Sequence, residues 1–243
     1  MSEKQREKFN PDVFGIMEWK LARNRKGLKA FIELKKGNAA SKIFDFNTVD
    51  GIPDHILPLE SVDIIVTSPP YGDSRTTVAY GQFSRLANQW LGFENANQID
   101  NLLMGGKRKK EKVYFESDLL NEVIEKIAEK DKKRVNDVIS FYIDYKKSIN
   151  NLSKVVRKGG YVCYVVGNRK VKGITLPTDE ITKQFFETNG FTHIKTIIRN
   201  IPNKRMPSKN SPTNVAGDLD TTMNKEYIVV LKKRGILQRS KSD

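Results

Sequence analysis

Apolar residues are spaced in three ways along this chain, and each spacing predicts a different element. The first is the short unbroken run. Ile64-Ile65-Val66-Thr67 is apolar or β-branched at every position, the pattern of a strand buried on both faces in the middle of a parallel sheet. It stops at Ser68-Pro69-Pro70-Tyr71, because a double proline can neither donate to a ladder nor continue into a helix. Tyr161-Val162-Cys163-Tyr164-Val165-Val166 is a second such run, ending at Gly167-Asn168-Arg169. Shorter strands are predicted over 41–46, ending in polar Asp45, Asn47 and Thr48, and over 193–198 and 226–232, the last two as a hairpin.

The second spacing is helical. Val135, Val138, Ile139, Tyr142, Tyr145, Ile149, Leu152 and Val156 recur at three and four residues, which predicts a long amphipathic helix on a sheet. Lys158-Gly159-Gly160 is its stop signal. A charged helix is expected over 117–131. Thr178 is expected to cap another, with Asp179 and Glu180 in its first turn. Phe14, Met17, Trp19, Leu21, Leu28, Phe31 and Ile32 fit helical segments between 11 and 34, broken near Gly27. Tyr80, Phe83, Leu86, Trp90 and Leu91 also stand at helical spacing and read as a core face. The third spacing is none at all. It marks the basic run Gly105-Gly106-Lys107-Arg108-Lys109-Lys110-Glu111-Lys112 and the long polar stretch 200–224 with Lys204, Arg205 and Lys209.

Strands alternating with helices give an α/β fold of doubly wound type. Ligands of such sheets sit beyond the carboxyl ends of the strands, so Ser68 and Gly167 share the candidate rim. The predicted organisation is a helical extension over 1–40 and one α/β domain over 41–243, with residues 73–134 inserted.

Charge narrows the partners. Lys and Arg total 43 against 29 Asp and Glu, a net charge of +14, which predicts a polyanion, nucleic acid before an acidic membrane surface. Composition also excludes several chemistries. A single cysteine, Cys163, allows no internal disulfide, and with only His55 and His193 besides it no Cys/His metal site is expected. No run reaches the ~20 apolar residues of a membrane span, and Met-Ser-Glu-Lys-Gln-Arg-Glu-Lys is no secretory leader, so no membrane partner and a cytoplasmic location are expected. The basic run lacks the G-x-x-x-x-G-K-[ST] phosphate loop; it reads either as a phosphate-contacting loop or as an exposed one.

Thr67-Ser68-Pro69-Pro70-Tyr71 resembles motif IV of the amino-methyltransferases that modify DNA bases. The elements around it, roughly 41–72 and 135–232, follow the order of the second half of their Rossmann-like, S-adenosylmethionine-dependent sheet with its terminal hairpin. The resemblance implies methyl transfer from S-adenosyl-L-methionine to an exocyclic amine of double-stranded DNA, as in a restriction–modification pair. It implies catalytic Ser68, Pro69, Pro70 and Tyr71, and Asp45, with Asn47 as competitor, on the cofactor side. Serine in the first position is the form more usual among N4-cytosine enzymes; N6-adenine is the alternative. Gly167 and Asn168 are secondary pocket candidates.

The resemblance is incomplete. Motif I, the F-x-G-x-G-like turn that lets backbone approach the methionine moiety, is found neither in residues 1–40 nor in 226–243. The first strands of the sheet are therefore expected to be absent. A companion chain carrying motif I is the preferred explanation; a truncated chain and a non-catalytic DNA-binding relative stand beside it.

Overall fold

Four strands form one mixed sheet in the computed structural model: β1 (Val62–Thr67), β2 (Val156–Val166), β3 (Phe191–Asn200) and β4 (Lys225–Lys233). Their order across the sheet is β1-β2-β4-β3. β1 and β2 are parallel, whereas β4 runs antiparallel to β2 and β3, so the expected hairpin is present. The structure describes residues 3–4, 8–34, 37, 40–77, 80–109, 113–201, 209–210, 220–221 and 223–235. Most of the polar stretch 200–224, with Lys204 and Arg205, lies outside them, as do Lys110 to Lys112 of the basic run.

The helices of ten or more residues among the described ones are α1 (Val13–Leu34), α2 (Gly81–Trp90), α3 (Asp118–Lys130), α4 (Arg134–Val155) and α5 (Thr178–Glu187). The chain divides into two units, residues 1–44 and 45–243. In the first, α1 is continuous through Gly27 and buries none of its residues. An interior glycine costs a helix only about 1 kcal/mol, too little to break one of 22 residues.

In the second unit, alternation along each strand sorts side chains between two faces. Val162, Tyr164 and Val166 of β2, with Val229 and Leu231 of β4, point to one face and are buried. There they meet Tyr145 and Ile149 of α4 and Phe185 and Phe186 of α5 in the core. The buried tyrosines keep a polar partner: Tyr145 Oη lies 2.7 Å from Thr182 Oγ1 and Tyr142 Oη 3.1 Å from Thr178 Oγ1. Burial pushes the Tyr142 phenol up to about 12. No described helix is long and apolar enough to cross a membrane.

Four expectations need correction. Residues 41–46 form no strand; they are irregular and mostly exposed, and no described strand pairs with them. β1 is not central but the edge of the sheet, with Ile64 53% and Val66 69% exposed. The glycines after α4 do not precede β2 but lie inside it. Val62 pairs with Val156 and Ile64 with Tyr161, so Gly159 and Gly160 form an irregularity in the ladder. Gly159 has φ 76°, and a side chain on Gly160 would meet the Asp63 carbonyl at 2.9 Å. Finally, the apolar side of α2 is not core: Phe83, Leu86 and Trp90 are all at least 80% exposed.

Candidate active site

β1 delivers its last residues to the rim where the chain leaves the sheet. Ser68 is exposed there, Pro69, Pro70 and Tyr71 are half-buried, and Gly72, Asp73 and Ser74 are buried. The turn is thus fixed from below while its hydroxyl faces outward. Among the described residues nothing donates to the Pro69 carbonyl.

Tyr71 ties the turn to β4. Its hydroxyl donates to Glu226 Oε1 at 2.9 Å and lies 3.2 Å from Ser68 Oγ. Arg199 of β3 donates to Glu226 Oε2 through Nε at 3.0 Å and through Nη2. That hydrogen bond holds the Glu226 carboxyl below its usual range, so Glu226 is an acceptor only. Burial raises the Tyr71 phenol, which therefore keeps its single proton and gives it to Glu226. The Ser68 proton is then directed to the phenol oxygen, and the Ser68 lone pairs face the rim. Gly167 at the end of β2 lets the ring in, since a Cβ there would stand 3.0 Å from Tyr71 Cδ2.

Beneath the turn lies a buried charge cluster. Asp73 accepts from Thr76 N at 2.9 Å, Thr76 Oγ1 at 2.7 Å, Thr77 Oγ1 at 3.0 Å and Arg134 Nη2 at 3.2 Å. Arg169 Nη1 is 3.5 Å away and also donates to Thr77 Oγ1 at 2.5 Å. Burial works to raise the Asp73 carboxyl, but Arg134, the Thr76 hydrogen bonds and Arg169 together bring it below its ordinary value. The Arg169 guanidinium packs on Gly72, where a Cβ would stand 2.6 Å from Cζ. The strand-end arginine and the acid after the motif therefore clamp the base of the turn.

These residues sit inside a recognisable sequence unit. A family model described as DNA methylase, of the N6 and N4 methyltransferases, matches residues 62–241, from the start of β1 to beyond β4. The chain belongs to that family. It is 41% identical over 246 residues to the Type II methyltransferase M.MvaI of Kocuria varians, an alignment covering 96% of this chain and 54% of that protein. This DNA methylase chain thus spans about half the length of that relative. Among solved structures it is similar to TTHA0409 of Thermus thermophilus, described as a candidate DNA modification methylase. The identity is 16% and the TM-score 0.39, over 78% of this chain and 52% of that one. The form of TTHA0409 complexed with S-adenosyl-L-methionine gives 16% and 0.36, over 77% and 52%.

Not every candidate residue of the DNA methylase chain comes to this rim. Asn47 closes a local turn, accepting from Val49 N at 3.0 Å and donating to Asp50 at 3.1 Å. Thr48 anchors that turn to Ser148 at 2.7 Å and to Asn151 at 3.0 Å. Those partners lie late in α4, whereas Arg134 at its start reaches Asp73. At 1.5 Å per residue the two places are roughly 20 Å apart along the helix. The turn that holds Asn47 therefore meets the opposite end of α4 from Arg134, and Asp45, three residues before Thr48, is exposed. Asn168 also turns away, bonding the side chain and backbone N–H of Asp179 at 2.8 and 3.2 Å. It supplies the start of α5 with the contact expected of Thr178, whose hydroxyl instead faces Tyr142. In the basic run, Arg108 grips Asp137 at 2.6 and 3.0 Å and Lys109 pairs with Asp144, so these two charges hold the loop to α4.

Sequence pattern alone does not single out Glu226, Arg199, Asp73, Arg134 or Arg169. The one local signal is an acid opening an otherwise apolar strand, Glu226 before Tyr227-Ile228-Val229-Val230-Leu231.

Proposed function

We propose that this chain is the acceptor half of a DNA amino-methyltransferase that methylates N4 of cytosine in double-stranded DNA. The proposal rests above all on one observation: an exposed Ser68 beside the Pro69 carbonyl, to which no described residue donates, on a turn clamped from below. An exocyclic amine is a poor nucleophile because its lone pair is delocalised into the ring. Ser68 Oγ and the Pro69 carbonyl accept its two N–H bonds, pull the nitrogen out of conjugation and stabilise the positive charge that develops on it. Pro69 and Pro70 fix the carbonyl in place. Tyr71 supports a base swung out of the duplex, an interaction worth about 1–3 kcal/mol in single-strand binders. Serine at the first motif position favours cytosine; N6 of adenine is the alternative substrate. Recognition of the target falls to residues 73–134, where Arg75 and Lys107 are exposed and α2 carries a bare apolar face, or to the stretch 200–224. Similarity to a Type II relative supports a role in a restriction–modification system.

S-adenosyl-L-methionine supplies the methyl group when bound. The rim residues fit the accepting amine but do not make a seat for that cofactor: the 243 residues contain no G-x-G sequence, and the turn that holds Asn47 is tied through Thr48 to the late part of α4. The donor half is therefore assigned to a companion chain or segment.

The test is to methylate duplex DNA with the completed enzyme, digest it to nucleosides and weigh the product. N4-methyldeoxycytidine is expected. N6-methyldeoxyadenosine would replace the cytosine reading, and no modified base from the completed enzyme would leave a DNA-binding relative. DNA binding itself should be steeply salt-dependent at a net charge of +14. With about six phosphate contacts, log K should fall against log salt with a slope of about −5; a flat titration would contradict the role given to the charge.

A further inference from the structure

We infer that α1 is a self-association element: the α1 helices of two copies of this chain pair antiparallel along one apolar seam. The inference concerns the first unit alone and does not depend on the methyl transfer proposed above.

α1 is a well-defined helix that lacks a partner. Its start is fixed by a local cap, Gly15 N donating to Asp12 Oδ1 at 2.8 Å. It then runs for 22 residues and buries none of them, whereas helices in proteins draw most of their stability from packing an apolar face. The apolar residues lie in a line. Phe14, Met17, Leu21, Asn24, Leu28 and Phe31 follow one another at alternating steps of three and four, the a and d positions of a heptad repeat. Its five apolar members are each more than half exposed. Outside this line the helix is basic. Arg23, Lys26 and Lys29 fall at b, c and f positions, away from the seam, and Arg23 covers the ring of Trp19 at 5.2 Å.

The occupant follows from the order of the seam and from the charges beside it. Phe-Met-Leu-Asn-Leu-Phe reads almost the same from either end. An antiparallel second copy therefore sets Phe14 against Phe31, Met17 against Leu28 and Leu21 against Asn24, each pair formed twice. Charged residues at e and g positions set the orientation of such pairs. In the antiparallel arrangement equivalent positions face each other, so Glu18 meets Arg25 of the second copy and Lys20 meets Gly27. In a parallel arrangement g faces e, and Lys20 would meet Arg25 on both sides of the pair. Opposite charges thus select the antiparallel pair. The net charge of +14 does not oppose it at the seam, because the remaining cations of α1 stand on its outer side.

The probe is the 243-residue chain itself, without DNA or cofactor, followed by light scattering across a dilution series. A monomer–dimer equilibrium is expected. Leu21→Glu should weaken it by about 100-fold or more by placing a charge in an apolar interface. Because Leu21 is exposed in the single chain, that variant should melt like the parent. Leu86→Glu, on the bare face of α2, should leave the dimer unchanged. Arg25→Glu should weaken the dimer about tenfold by setting two carboxylates together at both ends of the seam. Adding Glu18→Lys to Arg25→Glu exchanges the two charges and should restore the parent affinity. A monomer at every concentration, or a dimer that survives Leu21→Glu, would overturn the inference. A dimer strengthened by Arg25→Glu would overturn it too, since that is the signature of the parallel pair.

Discussion

Ser68→Ala is expected to slow methyl transfer by the completed enzyme about 10²–10³-fold, the loss typical of one acceptor or donor aimed at a developing charge. Stability and DNA affinity should barely change. Ser68 is exposed, and among the described residues its hydroxyl bonds only that of Tyr71, at 3.2 Å; surface changes of that kind stay within about 0.5 kcal/mol. The loss should appear in single-turnover rate rather than in binding. Glu226→Gln tests the proton arrangement that aims the Ser68 lone pairs. A carboxylate can only accept from Tyr71, whereas an amide can also donate. In the variant the phenol proton is free to turn toward Ser68 and occupy a lone pair meant for the amine. A smaller but clear loss of rate is expected, with Arg199 still able to bond the amide oxygen. If Ser68→Ala turned over at the parent rate, the cradle would be wrong; if Glu226→Gln alone did, Tyr71 would serve only as a support for the base.

The parts legible in the sequence were those fixed by local periodicity. The spacing from Val135 to Val156 predicts a helix, and α4 has its bounds at Arg134 and Val155, although it is buried on every side from Ser140 to Tyr145 rather than along one stripe. The unbroken runs at 64–67 and 161–166 could only be strands. What periodicity cannot carry is the identity of a strand's neighbours. Ile64-Ile65-Val66-Thr67 reads the same at the centre of a sheet or at an edge waiting for another strand, and the structure places it at the edge. The same gap explains Phe83, Leu86 and Trp90, whose spacing predicts a helix correctly but not what covers it. The site was half legible for a related reason. Ser68 to Tyr71 declared itself because proline stiffness is local. Tyr71 meets Glu226 across 155 residues, and Asp73 meets Arg134 and Arg169 across 61 and 96. No spacing rule reaches that far, so a polar Asp73-Ser74-Arg75-Thr76-Thr77 read as plain loop although Asp73 organises the base of the turn.

Asp73→Asn should be the most damaging single change to the fold of the second unit. The carboxylate is fully buried between two guanidinium groups that are themselves largely buried, Arg134 at 17% and Arg169 at 9% side-chain exposure. Removing its charge leaves Arg134 with Asp137, 3.2 Å away, but takes from Arg169 the one carboxylate it pairs with among the described residues, and breaking a buried pair of this kind costs about 3–5 kcal/mol. Chemical denaturation should show that loss in the midpoint with an unchanged slope. Arg169→Met in the same chain should recover part of it, because an apolar side chain in place of the uncompensated cation is better tolerated. Acid separates the charge from the shape. The folded Asp73 carboxyl lies below its ordinary 3.8, so its contribution is complete above that value and is lost as pH falls through the folded-state value. Parent and Asp73→Asn should therefore differ most near neutral pH and converge in strong acid. A constant difference across that range would mean that Asp73 acts through packing and its threonine hydrogen bonds. Convergence would mean that the motif turn is held in place by the ion pairs beneath it, and that Ser68 loses its aim when they are discharged.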